Sequence, residues 1–154
     1  MIKSYARKSG EPRMRKTRVY LASPYSVTGA VETADKMEKL HQRFEFVTRV
    51  LAKITDKYHA THVFFGPITM SHPVSGHLPI EKNTFEYWVE GIDLEWLEVM
   101  DEVWVLMDDG WDVSKGVNAE ISYAYENKLD IKWVSPYTMD VVGWEVKTCG
   151  LGKS

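Results

Sequence analysis

Apolar positions along the chain fall into short runs separated by amphipathic or polar segments. Four runs have the length of buried β-strands: residues 18–23, 61–67, 101–107 and 131–136. Apolar residues recur at helical spacing over 28–57, which predicts a long helix, and 84–100 and 116–128 predict two more. The prolines and glycines of 68–83 predict a loop, and a weak fifth strand is expected within 140–146.

Strands that alternate with helices favour an α/β fold, and near-continuous apolar strands indicate a parallel sheet with both faces covered. In such sheets ligands bind beyond the carboxyl ends of the strands. The loops "SPYS", "GPITMSHP" and "DDGWDVSKG" follow the first three strands. We therefore expect these loops to lie together at one edge and to carry the functional residues.

Composition narrows the class of protein. A chain of 154 residues is long enough for one domain with a real core. The single cysteine, Cys149, excludes an internal disulfide and fits a reducing, cytoplasmic compartment. The first 16 residues are basic and predict a disordered leader before a domain at 17–154. The remainder is acidic, which argues against duplex binding, and no apolar run predicts a membrane span.

Glu120 lies about one turn inside the helix that opens near Ser114 and Gly116. The free N–H groups and positive dipole end of a helix suit a phosphate, Ser114 supplies a hydroxyl, and Gly116 allows close approach to the backbone. A carboxylate there is expected to stay ionised. The alternative is structural: Ser114 caps the helix and Glu120 is an ordinary acid near its start.

Asp93 borders the apolar stripe of the segment 84–100. A carboxyl group at a core edge is a candidate for a raised pKa and for general-acid catalysis, although a solvated helix acid is the alternative. Glycosidic cleavage uses two carboxyl groups, one at the anomeric carbon and one at the leaving group. Glu120 and Asp93 can serve in this way if the fold brings them together.

Other candidates lie near the carboxyl ends of the strands. Tyr20, in the first strand, can reach a ligand or remain core with a paired hydroxyl. The remaining candidate binding residues are in the loops: Ser23, Tyr25, Ser26, His72, Asp109 and Trp111. Turn chemistry is an alternative for Asp109, and a structural role is one for His72. The other histidines form no metal motif, and neither a P-loop nor "GxGxxG" occurs, so no metal or cofactor is expected.

The segments "YLASPYS" and "IDLEWLEVMDEVWVLMDDGWDVSKGVNAEISYA" resemble the nucleoside 2-deoxyribosyltransferase-like superfamily over residues 18–136. Within it, the chain is most similar to the 2'-deoxynucleoside 5'-monophosphate N-glycosidases. It is also similar to uncharacterised bacterial and phage proteins that share "YLASPYS", "MSHP" and "DDGW". The resemblance and the alternating pattern together predict a single-domain, three-layer Rossmann- or flavodoxin-like sheet with strand order near 2-1-3-4-5.

The resemblance also implies roles. Glu120 corresponds to the nucleophile, Asp93 to the residue that protonates the leaving base, and Tyr20 to the tyrosine that orients the nucleophile. Ser114 corresponds to a phosphate-contacting serine where the nucleoside transferases have aspartate. The loop after the first strand, however, lacks the glycine-rich arginine segment of the hydrolases.

The expected function is therefore hydrolysis of the N-glycosidic bond of a (deoxy)ribonucleoside 5'-monophosphate, by a homodimer or higher homo-oligomer. A nucleoside 2-deoxyribosyltransferase and a non-catalytic nucleotide-binding protein are the alternatives.

Overall fold

The computed structural model describes residues 3–4, 15–26 and 33–143. Its five strands form one sheet: β1 (Thr17–Ala22), β2 (His62–Phe65), β3 (Glu102–Leu106), β4 (Asp130–Val134) and β5 (Val141–Val142). The strand order is β2-β1-β3-β4-β5, with the first four strands parallel and β5 antiparallel to β4. The predicted α/β class and the order 2-1-3-4-5 are confirmed. Positions 144–146 of the expected fifth strand lie outside the described residues.

Helices follow the strands as the alternating pattern predicts. They are α1 (Thr33–Tyr58), α2 (Pro67–Ser75), a π-helix (Glu86–Asp93) that continues into α3 (Leu94–Leu97), and α4 (Lys115–Glu126), with 3₁₀ turns at Ile80–Lys82 and Trp111–Val113. The long helix predicted from position 28 is described from Thr33 onward, because 27–32 lie outside the described residues. The segment predicted at 84–100 is helical, but much of it has the wider π geometry.

The prediction of a loop at 68–83 is wrong in its first half, where α2 lies. Pro67 occupies the start of the helix, where its missing N–H is not needed and its fixed φ is favourable. The Thr69 hydroxyl donates a 2.6 Å hydrogen bond to the carbonyl of Gly66 and ties this first turn to the end of β2. Pro73 lies inside the helix, where it cannot donate to the carbonyl four residues earlier, yet the helix continues to Ser75.

The alternation of side chains along β1 divides the core between the two faces of the sheet. Val19 and Leu21 point to the face covered by α1, whereas Tyr20 and Ala22 point to the face covered by α4. We call these the α1 face and the α4 face. Because Tyr20 lies on the α4 face near the carboxyl end of β1, its hydroxyl is directed toward the side where α4 begins.

The basic leader predicted at 1–16 falls mostly on residues 1–2 and 5–14, which lie outside the described residues. Arg15, at its end, makes two hydrogen bonds of 2.7 and 2.8 Å to the carboxylate of Asp101, just before β3. Among the described residues, no helix is long and apolar enough to cross a membrane.

Candidate active site

Two carboxyl groups from different elements lie buried on the α4 face. Glu120, on α4, is 3% exposed, and Asp93, at the end of the π-helix, is 6% exposed. Their charges interact: burial raises the pKa of Glu120 well above its usual value, and the nearby Asp93 raises it further. The fold therefore brings together the two carboxyl groups that sequence spacing could not place relative to each other.

Tyr20 is the third member of this group. Its pKa is raised by burial and then by the charges of Glu120 and Asp93, so its ring reaches both carboxyl groups. Tyr20 Oη lies close enough to Glu120 to offset part of the rise in the Glu120 pKa, but the two groups form no hydrogen bond of normal geometry. The resemblance implied this pairing of Tyr20 with the nucleophile.

Four buried polar atoms of the described residues have no hydrogen-bond partner: Tyr20 Oη, Ser23 Oγ, Asp93 Oδ1 and Glu120 Oε2. Three belong to the cluster above, and Ser23 follows Tyr20 along the chain, just beyond β1. A buried polar atom without a partner costs about 1–3 kcal/mol, so native proteins keep few of them. Such a cluster of unpaired atoms is typical of a binding site, in which the ligand supplies the missing hydrogen-bond partners.

The protonation of the pair differs in part from the sequence expectation. The raised pKa predicted for Asp93 is confirmed, since burial raises it to about 7. Burial also raises the pKa of Glu120 well above its usual value, which works against the expectation that Glu120 stays ionised. Glu120 lies in the second turn of α4, beyond the first-turn N–H groups whose field favours an anion.

Ser114 and Gly116 adjoin the carboxyl groups at the start of α4. Ser114 Oγ accepts a 3.3 Å hydrogen bond from the N–H of Val117, which confirms that it caps the helix. A Cβ atom built on Gly116 would lie 3.8 Å from Glu120 Oε1 and 3.9 Å from Ser114 Oγ. A side chain at 116 would fill the space between the serine hydroxyl and the glutamate, which glycine leaves open.

The π-helix positions Asp93 near Glu120. Within it, a Cβ on Gly91 would lie only 3.3 Å from the carbonyl oxygen of Glu86, so glycine accommodates a tight approach of the backbone. Asp93 is buried, whereas Glu95 and Glu98, two and five residues further along the chain, are exposed. Single turns of π-helix are frequent at functional sites. The glycine was the one sequence signal of this irregularity.

Tyr25 and His72, both predicted to bind ligand, contact each other. The Tyr25 hydroxyl is 2.5 Å from His72 Nδ1, and His72 Nε2 is 3.3 Å from Nδ1 of His41 on α1. Phe44 stacks on the His72 ring with a centroid distance of 4.6 Å. His72 lies on α2 rather than in a loop. Sequence reasoning missed His41, because an exposed histidine on a long polar helix gives no signal of its partners.

Ser26 and Asp109 lie in a different place at the same edge of the sheet. The Arg43 guanidinium on α1 donates hydrogen bonds of 2.9 and 3.1 Å to the carbonyls of Ser26 and Asp109, and so joins the loops after β1 and β3. A cleft of about 350 Å³ opens there, and neither Glu120 nor Asp93 lines it. Arg43 is a second residue that the sequence did not single out.

The loop after β3 is built as its turn residues predict. The Asp109 N–H donates to Asp108 Oδ1 at 2.9 Å, and Gly110 has a φ of 86°, which favours glycine. Trp111 is half-buried and packs against the core of the α4 face. The structure therefore gives Trp111 a packing role.

No group of three or more histidine, cysteine or acidic residues within the described ranges is arranged to hold a metal ion. The fold and the site together define an α/β protein with a buried pair of carboxyl groups at the carboxyl edge of its sheet. The chain belongs to the family described as domain of unknown function (DUF1937), whose model matches residues 17–135. A comparison with curated proteins finds no match.

Proposed function

We propose that this protein hydrolyses the N-glycosidic bond of a (deoxy)ribonucleoside 5'-monophosphate and releases the base and the sugar phosphate. The observation that carries the proposal is the burial of Glu120 and Asp93 together, each with an unpartnered oxygen, beside the Tyr20 hydroxyl. Glycosidic cleavage needs two carboxyl groups in different protonation states. The resemblance to N-glycosidases assigns the same residues to these roles.

In the proposed reaction, the coupled carboxyl pair holds one proton. With that proton on Asp93, ionised Glu120 attacks C1' or stabilises the positive charge that develops there. The C1'–N bond breaks with its electron pair going to the base, which takes a proton from Asp93. Water then adds to C1'. If Glu120 has bonded to C1', that bond breaks as water adds and Glu120 leaves as its carboxylate; the proton of the water passes to the Asp93 carboxylate. A pKa near 7 lets Asp93 both give and regain this proton at neutral pH.

Ser114 and Lys115 support a phosphate on the substrate. The Ser114 hydroxyl accepts from Val117 but still has its own proton to donate. Lys115 Nζ lies 4.0 Å from the ring centroid of Phe85, which directly precedes the π-helix. A cation therefore lies between the π-helix and α4, the two elements that carry the carboxyl groups. The loop after β1 lacks the arginine of the hydrolases, but Arg43 reaches this loop from α1.

Incubation of the protein with each natural nucleoside 5'-monophosphate, followed by chromatography of the free bases, tests the proposal. We expect base release from at least one monophosphate, and none from the Glu120→Gln variant. Absence of base release from every substrate would exclude the activity and favour a nucleotide-binding protein. A new nucleoside formed with added acceptor base would instead identify a deoxyribosyltransferase.

The resemblance also implies a homo-oligomer, and light scattering measures the oligomeric state.

Ser114→Asp distinguishes nucleotide from nucleoside binding. Aspartate also caps helices well, so α4 should stay intact. A carboxylate ~4 Å from a phosphate charge costs about 4 kcal/mol at an effective dielectric constant near 20. Binding of monophosphates, measured by calorimetry, should weaken far more than binding of nucleosides. The matched variant Ser114→Ala loses the cap without adding charge. Equal losses for both ligands in Ser114→Asp would place the phosphate elsewhere.

A further inference from the structure

His41 and His72 face each other across the contact between α1 and α2, with Nδ1 of His41 3.3 Å from Nε2 of His72. This separation is longer than the usual N–H hydrogen bond of about 2.9–3.0 Å. Two nitrogen ligands on a tetrahedral zinc ion, each at about 2.0–2.1 Å, are themselves separated by about 3.3–3.4 Å. We propose that His41 and His72 form a binding site for a late divalent transition-metal ion such as Zn²⁺.

The outward nitrogen of His72 has a hydrogen-bond partner, and that of His41 lies near a carboxylate, beyond hydrogen-bond distance. His72 Nδ1 contacts the Tyr25 hydroxyl, and His41 Nε2 lies 3.7 Å from Oε1 of Glu45. Metal-bound histidines usually donate their second ring N–H to a carboxylate or another oxygen, which fixes the tautomer and the ring orientation. The stacking of Phe44 on His72 holds that ring further. Tyr25 and Phe44 therefore hold the His72 ring so that its Nε2 faces Nδ1 of His41.

The charges around the pair allow a cation. Glu45 adds a negative charge, and its Oε2 lies 3.8 Å from Nη1 of Arg49. Nearby Arg43 is directed at backbone carbonyls.

The protein offers two ligands, so water completes the coordination and the ion exchanges readily. Imidazole favours Zn²⁺, Cu²⁺ and Ni²⁺ over Mg²⁺. The ion lies apart from the carboxyl pair and takes no part in the proposed reaction. Its role is to tie α1 to α2 beside the loop that follows β1.

Calorimetric titration of the metal-free full chain with Zn²⁺ alone tests the site. We expect one site that His41→Gln and His72→Gln each weaken at least about tenfold, with Mg²⁺ giving no binding there. His59→Gln, beyond the last residue of α1, is the matched control and should bind as the native chain does. Tyr25→Phe should weaken binding about tenfold, because it removes the outward partner of His72.

Substitution of Co²⁺ gives a second measurement, because its visible absorption reports tetrahedral coordination and should be lost in His41→Gln. Melting of each variant without metal confirms its fold, and His41 is exposed enough to replace safely. Failure of Zn²⁺ to bind, or equal binding by both histidine variants and the native chain, would overturn the proposal. Glu120→Gln should bind Zn²⁺ normally, so this result is independent of the glycosidase activity.

Discussion

The α1 face and the α4 face of the sheet differ in how their buried polar groups are paired. On the α1 face, Trp104 Nε1 donates to Glu102 at 2.9 Å, and Lys132 pairs with the same carboxylate at 3.1 Å. The hydroxyl of Tyr58, on α1, donates to a backbone carbonyl at 3.0 Å. On the α4 face, the Tyr20 hydroxyl and one oxygen of each buried carboxyl group have no partner.

Both faces are well packed, so burial alone does not separate core from site. Hydrogen-bond pairing does distinguish the core from the site, because an unpaired buried polar atom costs about 1–3 kcal/mol and a paired one contributes a modest gain. The α1 face is built for stability. The α4 face retains a cost that a bound ligand with complementary polar groups would offset, and this difference is what the following experiments test.

The largest expected effect is on catalysis. Glu120→Gln should reduce base release by several powers of ten, because it removes the attacking group of a catalytic unit. The variant should fold, since glutamine matches the protonated form that burial favours. Steady-state rates with the best monophosphate measure the effect. Glu102→Gln, on the α1 face, is the matched control and should keep near-native turnover. Comparable losses in both variants would remove the distinction between the faces.

The pH dependence of stability gives an effect of intermediate size. The pKa of Asp93 is about 7 in the folded protein, against about 3.9 in the unfolded chain. Between these values the folded state binds more protons, so its contribution is complete below pH 4 and is lost as pH rises through 7. The loss is at most about 4 kcal/mol. Urea unfolding from pH 4 to 8 should therefore show a flatter profile for Asp93→Asn.

Asp101→Asn is the control for that profile. Arg15 lowers the pKa of Asp101, so this group stabilises the folded state above its unfolded pKa and ceases to do so as pH falls. Its removal should lower stability by a constant amount above about pH 4 and change the slope of the profile only at its acidic end. An Asp93→Asn profile as steep as that of the native chain would show that Asp93 titrates as an ordinary surface acid.

Much of the fold could be predicted from the sequence because the strands are apolar runs with clear ends. The predicted strand at 101–107 differs from β3 by one residue at each end. The error at α2 arose because the prolines were interpreted as loop residues, whereas Pro67 starts the helix and the helix continues past Pro73. The π-helix could not be predicted, since its apolar spacing resembles that of an α-helix.

The candidate site was only partly predictable. Ser114 and Glu120 carry a local signal, a cap followed by an acid inside a helix. The proximity of Asp93 depends on the packing of the π-helix against α4, which no local pattern contains. His41 and Arg43 occupy positions on α1 that look solvated, and their partners come from elements distant in the sequence. The missing hydrogen-bond partner of the Tyr20 hydroxyl can be recognised only from the contacts of the complete fold.

The smallest expected effect compares two tyrosines. Tyr58→Phe removes a hydroxyl that donates to the carbonyl of Met139, and should lower the free energy of unfolding by about 1 kcal/mol. Tyr20→Phe removes a buried hydroxyl without a normal partner, so it should be neutral or stabilising by up to about 1 kcal/mol. Activity should change in the opposite order, with turnover falling in Tyr20→Phe because the hydroxyl no longer orients Glu120. Urea unfolding at pH 7 and base-release rates on the same preparations measure both quantities. If Tyr20→Phe were the more destabilised variant and kept full turnover, its hydroxyl would be a paired structural group, and the contrast between the two faces would not mark a functional site.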